Sequence, residues 1–306
     1  TADEAVKIIK SGDWVDYGFC AIHPRVLDEA LARRAPELED VKVRGGISLW
    51  KPAIFDIEDP ASHIIFNSHH MSGVERHYIA SGAGFYEPMR YSELPRYYYD
   101  HITPPDVAMF QVTPMDSHGY FSLALNGSYI DAMLDKTKRI YLEVNNRQPR
   151  ALCGSLIHIS QVDALVEYHH DLPVLPPVQL DDVSKTIGGL IADLIPDGAC
   201  LQLGIGAIPD ATGMALKSNH DLGIHTEMFT DSMVELIECG AVNNSKKQIH
   251  RGKTVTTFAF GSQRIYDFVD DNPSVEILPV DYVNDPNVIC QNDNIASSLS
   301  WAANVF

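Results

Sequence analysis

The sequence predicts an α/β protein built from two similar domains in tandem, each with an open, mostly parallel sheet. Three observations lead to this class. Short apolar runs typical of buried parallel strands alternate with segments of helical periodicity. A helix, strand, turn and helix pattern occurs twice along the chain. A proline-rich stretch separates the two copies.

The first copy opens the chain. Thr1 is a candidate N-cap, apolar residues follow at helical spacing, and Gly12 stops the pattern. A strand is predicted over residues 14–18, and Pro24 opens a second helix. Further strands are predicted at residues 41–43, 64–67, 107–112 and 140–144.

The second copy lies later in the chain and has the same order. It predicts a helix at 187–195, a strand at 199–203 and a helix at 209–216, followed by strands at 254–258 and 275–279. Aligning Gly12 with Gly198 also places Gly18 on Gly204. These matches indicate an internal duplication, although two unrelated units of one type remain an alternative because the identities are few.

The domain boundary is predicted near residue 175, within the stretch YHHDLPVLPPV at 168–178, which cannot continue a helix. This gives domains at 1–175 and 176–306. The sequence stops at Val305 and Phe306 after an apolar segment without a closing element, so we expect the second domain to be incomplete here.

Composition limits the function. The 41 acidic and 23 basic residues give a net charge of −18, which opposes binding to nucleic acid or anionic membranes. A polyanionic ligand must then rely on local backbone amides and a few nearby cations. Five widely spaced cysteines predict reduced, mostly buried thiols. No apolar run reaches the roughly 18 residues needed to cross a bilayer, so we expect a cytoplasmic protein.

The first candidate site is QLGIGAIPD at residues 202–210, a Gly-x-Gly turn between a predicted strand and a predicted helix. Glycines let the backbone approach a ligand, and a helix N-terminus offers free N–H groups to an anion. Pro209 stands where a dinucleotide fingerprint has its third glycine. Taken alone, a plain tight turn explains the pattern equally well.

The second candidate site is LGIHTEMFTDSMVELIECG at residues 222–240, which predicts a strand, a turn and a helix from Asp231 to Gly240. Glu227 is then expected just beyond the strand, at the edge of the sheet where ligands bind in open α/β folds. An unperturbed glutamate is ionised at neutral pH. The alternative is a carboxylate that only complements the helix dipole.

Several motifs resemble the acetyl-CoA hydrolase/transferase group of class I CoA-transferases, and within it the butyryl-CoA:acetate and 4-hydroxybutyrate CoA-transferases. The sequences around Gly204 and Glu227 carry this resemblance first. It extends along the chain through TADEAVK at 1–7, NSHHMSGVER at 67–76, RYSELPRY at 90–97, TPMDSHG at 113–119, EVN at 143–145 and PVDYVN at 279–284.

The resemblance implies specific roles. Glu227 is expected to be the covalent catalytic carboxylate in CoA transfer between short-chain acids. The expected substrates are butyryl-CoA and acetate. The backbone expected against the CoA thioester comprises Gly204, Ile205, Gly206, Ala207 and Ile208. The residues expected to line the acyl pocket are Ser68, His69, Met71 and Gln202. The resemblance also implies a homo-oligomer, and no cofactor beyond the substrate coenzyme A.

Two departures from the family pattern and two alternative functions accompany this assignment. Ser232 stands where the family usually has glycine, and the family's second glycine-rich CoA loop is expected downstream of residue 306. We expect no metal, because adjacent histidines such as His69 and His70 point to opposite faces of a strand. An acyl-CoA hydrolase on the same scaffold and a non-catalytic ligand-binding domain are the alternative functions.

Overall fold

The computed structural model of the chain describes residues 1–152, 155–176 and 178–298. The chain forms two compact units, one of residues 1–150 with 155–173, the other of residues 174–306 with 151–154. Each unit carries a parallel sheet with helices, so the predicted α/β class is confirmed. The expectation of an incomplete second domain rests on Val305 and Phe306, which lie outside the described residues.

The first unit is built on a seven-stranded sheet of order β4-β3-β2-β1-β5-β7-β9, in which every neighbouring pair is parallel. A separate antiparallel pair joins β6 to β8. The strands are β1 (Trp14–Phe19), β2 (Val41–Gly46), β3 (Ile64–Ser68), β4 (Gly84–Tyr86), β5 (Val107–Val112), β6 (Tyr120–Ser122), β7 (Ile140–Val144), β8 (Leu156–His158) and β9 (Ala164–Glu167).

The helices of the first unit begin with local and long-range caps. Thr1 forms a reciprocal capping box with Glu4, as its position predicts. The N-terminus of the second helix lacks a local side-chain cap, and Glu143 from β7 accepts the backbone N–H groups of Arg25 and Leu27 instead. The helices are α1 (Ala2–Ala5), α2 (Val26–Arg34), α3 (Pro60–His63), α4 (Gly73–Ala80), α5 (Leu94–Asp100) and α6 (Ile130–Lys136).

The second unit is built on a five-stranded sheet of order β13-β12-β11-β10-β14, again parallel throughout. Its strands are β10 (Cys200–Leu203), β11 (Gly223–Phe229), β12 (Thr254–Ala259), β13 (Val275–Ile277) and β14 (Ile295–Ser298). The side chains of β10 to β12 are mostly buried, which explains why these strands appear as continuous apolar or Thr-rich runs.

The helices of the second unit are short. They are α7 (Asp182–Ala192), α8 (Ala207–Ala215), α9 (Asp231–Glu238), α10 (Gln263–Val269), α11 (Val280–Val283) and α12 (Pro286–Ile289). Asp181 caps α7 by accepting the Ser184 N–H at 2.7 Å, so this helix begins earlier than the predicted residue 187. Across the described helices of both units, none is long and apolar enough to cross a membrane.

The two sheets share one strand order. Strands β4-β3-β2-β1-β5 of the first unit correspond in sequence and space to β13-β12-β11-β10-β14 of the second, as a duplication requires. Trp14 pairs with Lys42 across β1 and β2, and Cys200 pairs with Gly223 across β10 and β11. The alignment of Gly12 with Gly198 puts Trp14 on Cys200, and counting along β2 and β11 from their partners then places Arg44 at the position of His225 and Gly46 at that of Glu227.

The prediction of mostly buried thiols holds for only part of the chain. Cys20 and Cys200 are buried, whereas Cys239 and Cys290 are exposed. The exposed pair occupies the C-cap positions of α9 and α12, where a helix end leaves the core. Cys153 lies outside the described residues.

Two adjacent glycines on α7 test how closely this helix packs on α8. A Cβ at Gly188 lies 2.7 Å from backbone atoms of Ala211 and Thr212, whereas a Cβ at Gly189 meets nothing within 4 Å. Gly188→Ala is expected to destabilise the protein by about 1 to 3 kcal/mol through overpacking. Gly189→Ala is expected to stabilise it by about 0.5 to 1 kcal/mol through helix propensity. Thermal unfolding of both variants checks this, and equal effects would contradict it.

Candidate active site

Glu227 lies within β11, in the middle of the second sheet. The strand pairs with β10 on one side and with β12 on the other. The sequence placed Glu227 just beyond the carboxyl end of the strand, and this was wrong. Met228 and Phe229 still pair with Phe258 and Ala259 of β12, so the strand continues two residues beyond the glutamate.

The glycine turn begins on the strand beside Glu227. Strand β10 ends at Leu203, whose carbonyl accepts a hydrogen bond from the Thr226 hydroxyl at 3.2 Å. Gly204 therefore leaves the sheet at the level where β11 reaches Glu227. Gln202 lies on β10 two residues earlier and is half-buried.

The turn contains fewer residues than the sequence suggested. Helix α8 begins at Ala207 rather than Pro209, so Ala207 and Ile208 form its first turn. Gly206 is the N-cap with φ +113°, a conformation that favours glycine. Pro209 has no N–H, so Gly206, Ala207 and Ile208 carry the backbone donors that lack an intrahelical acceptor.

The carboxylate of Glu227 is held in a partly buried position. Asn284 Nδ2 donates to Glu227 Oε2 at 2.5 Å, and Thr256 Oγ1 donates to the Glu227 carbonyl at 2.9 Å. Burial raises the pKa of the Glu227 carboxyl, and the Asn284 hydrogen bond opposes this rise. Within the described ranges, no cationic side chain pairs with this carboxylate.

Two histidines contact the segment that carries Asn284, one from β11 and one from the loop before β12. His225 Nε2 lies 2.8 Å from the carbonyl oxygen of Val283, and His250 Nε2 lies 2.7 Å from the Tyr282 hydroxyl. His250 Nδ1 also contacts Glu276 Oε2 at 2.5 Å. Each residue from 282 to 284 therefore has a contact with a neighbouring element.

Comparison with known proteins decides the family. The N-terminal domain model of the acetyl-CoA hydrolase/transferase family matches residues 1–176, and its C-terminal domain model matches residues 261–303. The chain belongs to the acetyl-CoA hydrolase/transferase family. The resemblance inferred from the sequence motifs is thereby confirmed.

Individual relatives of this family cover nearly the whole chain. Butyryl-CoA:acetate CoA-transferase of Anaerostipes caccae is 45% identical over 97% of this chain and 68% of its own length. 4-Hydroxybutyrate coenzyme A transferase of Clostridium kluyveri is 39% identical over 97% of this chain and 69% of its own length. The crystal structure of RipA from Yersinia pestis superposes with a TM-score of 0.91 at 39% identity, covering 97% of this chain and 71% of that one.

The remaining candidate residues lie in the first unit of this family member. Ser68 is fully buried at the end of β3, and its hydroxyl donates to Glu75 Oε2 at 3.0 Å. His69 is also buried, with Nδ1 3.3 Å from a Glu87 carboxylate oxygen. Met71 is half-buried. The structure thus joins Gln202, the glycine turn and Glu227 in one sheet, and places the other three residues in the other unit.

Glu75 explains part of the family motif at residues 67–76. Its carboxylate is fully buried and accepts the N–H groups of Ser48 at 2.7 Å and Ser72 at 2.8 Å. Because several donors share one acceptor, the loop after β2 and the start of α4 have a common anchor. The motif therefore contains at least one position with a structural role.

Ser232, which stands where the family usually has glycine, leaves the backbone of the glutamate motif regular. It lies in the first turn of α9, in ordinary helical conformation, and its hydroxyl is 3.1 Å from that of Thr230. No positive φ requires glycine at this position. The departure from the family pattern is therefore compatible with the backbone seen here.

A cavity of about 300 Å³ opens at the carboxyl ends of the strands in the second unit. Ile205 and Gly206 line it after β10, Thr230 after β11 and Phe260 after β12. Glu227 is not among its lining residues. Burial raises the pKa of Asp210, which also lines it. The glycine turn consequently contributes to this cavity as well as lying beside the glutamate.

Asn284 is the site residue that sequence reasoning missed. It ends the PVDYVN motif, which supported the family resemblance, but it lies 57 positions after Glu227 in the sequence. No spacing rule links residues so far apart. Only the parallel crossover from β12 to β13, followed by α11, brings its amide to the carboxylate.

Glu227→Gln is expected to raise the thermal unfolding midpoint at pH 7 to 8 and to change it little at pH 4. The folded-state pKa lies above the unfolded one, so the stability linked to this group is present below the unfolded pKa and is lost as pH rises through the folded pKa. The neutral amide removes that loss. Glu167→Gln, at an exposed strand glutamate, is the control. An equal gain at pH 4 would contradict this account.

Proposed function

We propose that this protein transfers CoA between a short-chain acyl-CoA and a carboxylate such as acetate. Butyryl-CoA is the proposed acyl-CoA. The reaction proceeds by a ping-pong mechanism through a glutamyl-CoA thioester on Glu227. The family and the names of the relatives support the substrate class. One observation carries the residue assignment: a partly buried carboxylate, held by Asn284, lies on the strand next to the glycine turn.

The carboxylate is suited to act as the nucleophile. Burial raises its pKa and removes part of its hydration, so it is more basic than an exposed glutamate. Asn284 fixes one oxygen and leaves the other for attack. Holding a weak nucleophile against a bound thioester gives effective molarities of about 10⁵ M or more, equivalent to roughly 7 kcal/mol of barrier.

The proposed reaction exchanges one thioester for another. A Glu227 oxygen bonds to the acyl carbon, the C–S bond breaks, and CoA leaves as the thiolate. The thiolate then bonds to the glutamyl carbon of this anhydride and releases the first carboxylate. The acceptor carboxylate opens the glutamyl-CoA thioester by the same two steps in reverse, so the overall exchange needs no other reactant.

The backbone of the glycine turn supplies the groups that can stabilise the intermediates. Each attack converts a carbonyl into an oxyanion, which needs hydrogen-bond donors. Gly206, Ala207 and Ile208 carry N–H groups without an intrahelical acceptor. Losing one such donor typically costs about 2.7 to 4 kcal/mol. These N–H groups can bind CoA locally even though the net charge of −18 repels CoA at long range.

Glu227→Ala is expected to lower CoA transfer by about 10⁵-fold, the contribution of a positioned nucleophile, while CoA binding is retained. Transfer is measured with butyryl-CoA and acetate, and binding by calorimetry with CoA. Borohydride or hydroxylamine trapping followed by peptide mapping is expected to modify Glu227 in the unmutated protein and in Glu167→Gln, and to leave position 227 unmodified in Glu227→Ala. Glu167→Gln serves as the matched control with normal activity. Retained CoA transfer in Glu227→Ala would contradict the assignment of Glu227 as the nucleophile.

The family name includes hydrolases, and acceptor dependence separates the two reactions. Continuous conversion of butyryl-CoA is expected to require acetate and to yield acetyl-CoA without release of free CoA. In a hydrolase, water resolves the glutamyl intermediate, so release continues without added acid. Acetate-independent release at the full rate would replace the transferase proposal with the hydrolase.

A further inference from the structure

His225 is a buried histidine that the proposed chemistry does not use. It is 2% exposed and lies on β11 two residues before Glu227. Side chains two residues apart in a strand point to the same face. His225 and Glu227 therefore both face the α11 segment, and both contact it.

The hydrogen bonding of His225 determines where its proton lies. A backbone carbonyl only accepts, so the 2.8 Å contact with the Val283 oxygen requires a proton on Nε2. Nδ1 is buried without a hydrogen-bond partner, which disfavours a second proton there. Burial also lowers the pKa of the ring. The ring is thus a neutral donor in the Nε2–H form.

The acceptor of this hydrogen bond directly precedes Asn284. Helix α11 has four residues and Asn284 is its C-cap, so the helix alone gives the segment little rigidity. Its position depends on tertiary contacts. The His250 contact holds Tyr282, and the His225 contact holds the peptide group that joins Val283 to Asn284.

We propose that His225 is a positioning residue, which holds the Val283 carbonyl and thereby fixes the Asn284 amide against the Glu227 carboxylate. The inference rests on the proposed function, since it assigns a role in orienting the nucleophile. A histidine that only fills space in the core is replaceable by any side chain of similar volume. A positioning histidine is replaceable only by a side chain that donates to the same carbonyl.

Three substitutions in the intact protein separate these roles. His225→Leu removes the donor and is expected to lower kcat for CoA transfer about tenfold, with the KM for butyryl-CoA within twofold. His225→Gln keeps an amide donor and is expected to retain at least half of the normal kcat. If His225→Leu does not fold, His225→Phe replaces it. Equal kcat values in the Gln variant and the donor-free variant would overturn the proposal.

A double-mutant cycle with Asn284→Ala tests whether His225 acts through Asn284. The tenfold effect of His225→Leu is expected to shrink below twofold when Asn284 is already alanine. Full additivity of the two effects would overturn the proposed route. His63→Leu is the matched control, because His63 Nδ1 makes a similar 2.6 Å contact with the Leu38 carbonyl in the first unit. It is expected to leave kcat unchanged.

A measurement without catalysis distinguishes this inference from the proposed function. The side-chain amide NMR signals of Asn284, assigned by their absence in Asn284→Ala, are expected to shift in His225→Leu and to stay in place in His225→Gln and His63→Leu. Unchanged signals in His225→Leu would overturn the inference alone. Absence of CoA transfer in the unmutated protein would overturn the proposed function alone.

Discussion

The hydrogen bond from Asn284 to Glu227 is the interaction on which the candidate site depends. It favours the charged form of a carboxylate whose pKa burial raises, and it fixes one carboxylate oxygen in place. The sheet supplies one partner through β11, and the turn after α11 supplies the other. The orientation of the carboxylate is consequently a property of the whole second unit rather than of one loop.

Much of the fold could be predicted because it depends on local signals. The strands at 107–112 and 140–144 match the structure residue for residue, since each is a continuous buried run. The capping residue Thr1 and the helix from Asp231 were also predicted correctly. The start of α7 was missed by five residues, because its first turn is polar and carries no apolar periodicity.

The site was predicted less completely, for a different reason. Glu227 and the glycine turn each have a sequence signature, and parallel pairing of β10 with β11 places them on adjacent strands. Asn284 and His225 have no such signature, because their contacts depend on register and on a crossover between strands. The end of β11 was misjudged because Thr226 and Glu227 appear as a polar interruption, although β12 continues to pair beyond them.

The shared strand order allows matching positions of the two units to be compared. In the first unit, Gly46 falls at the position of Glu227, and a Cβ added there would lie 3.2 Å from the Phe19 ring. A buried arginine replaces His225, and its guanidinium lies over the ring of Trp14 at 4.3 Å. Aromatic and cationic side chains therefore pack in the first unit where the second unit has Glu227 and His225. A side chain at Gly46 would have to displace the Phe19 ring, so the first unit accepts a glutamate at this position only with local repacking.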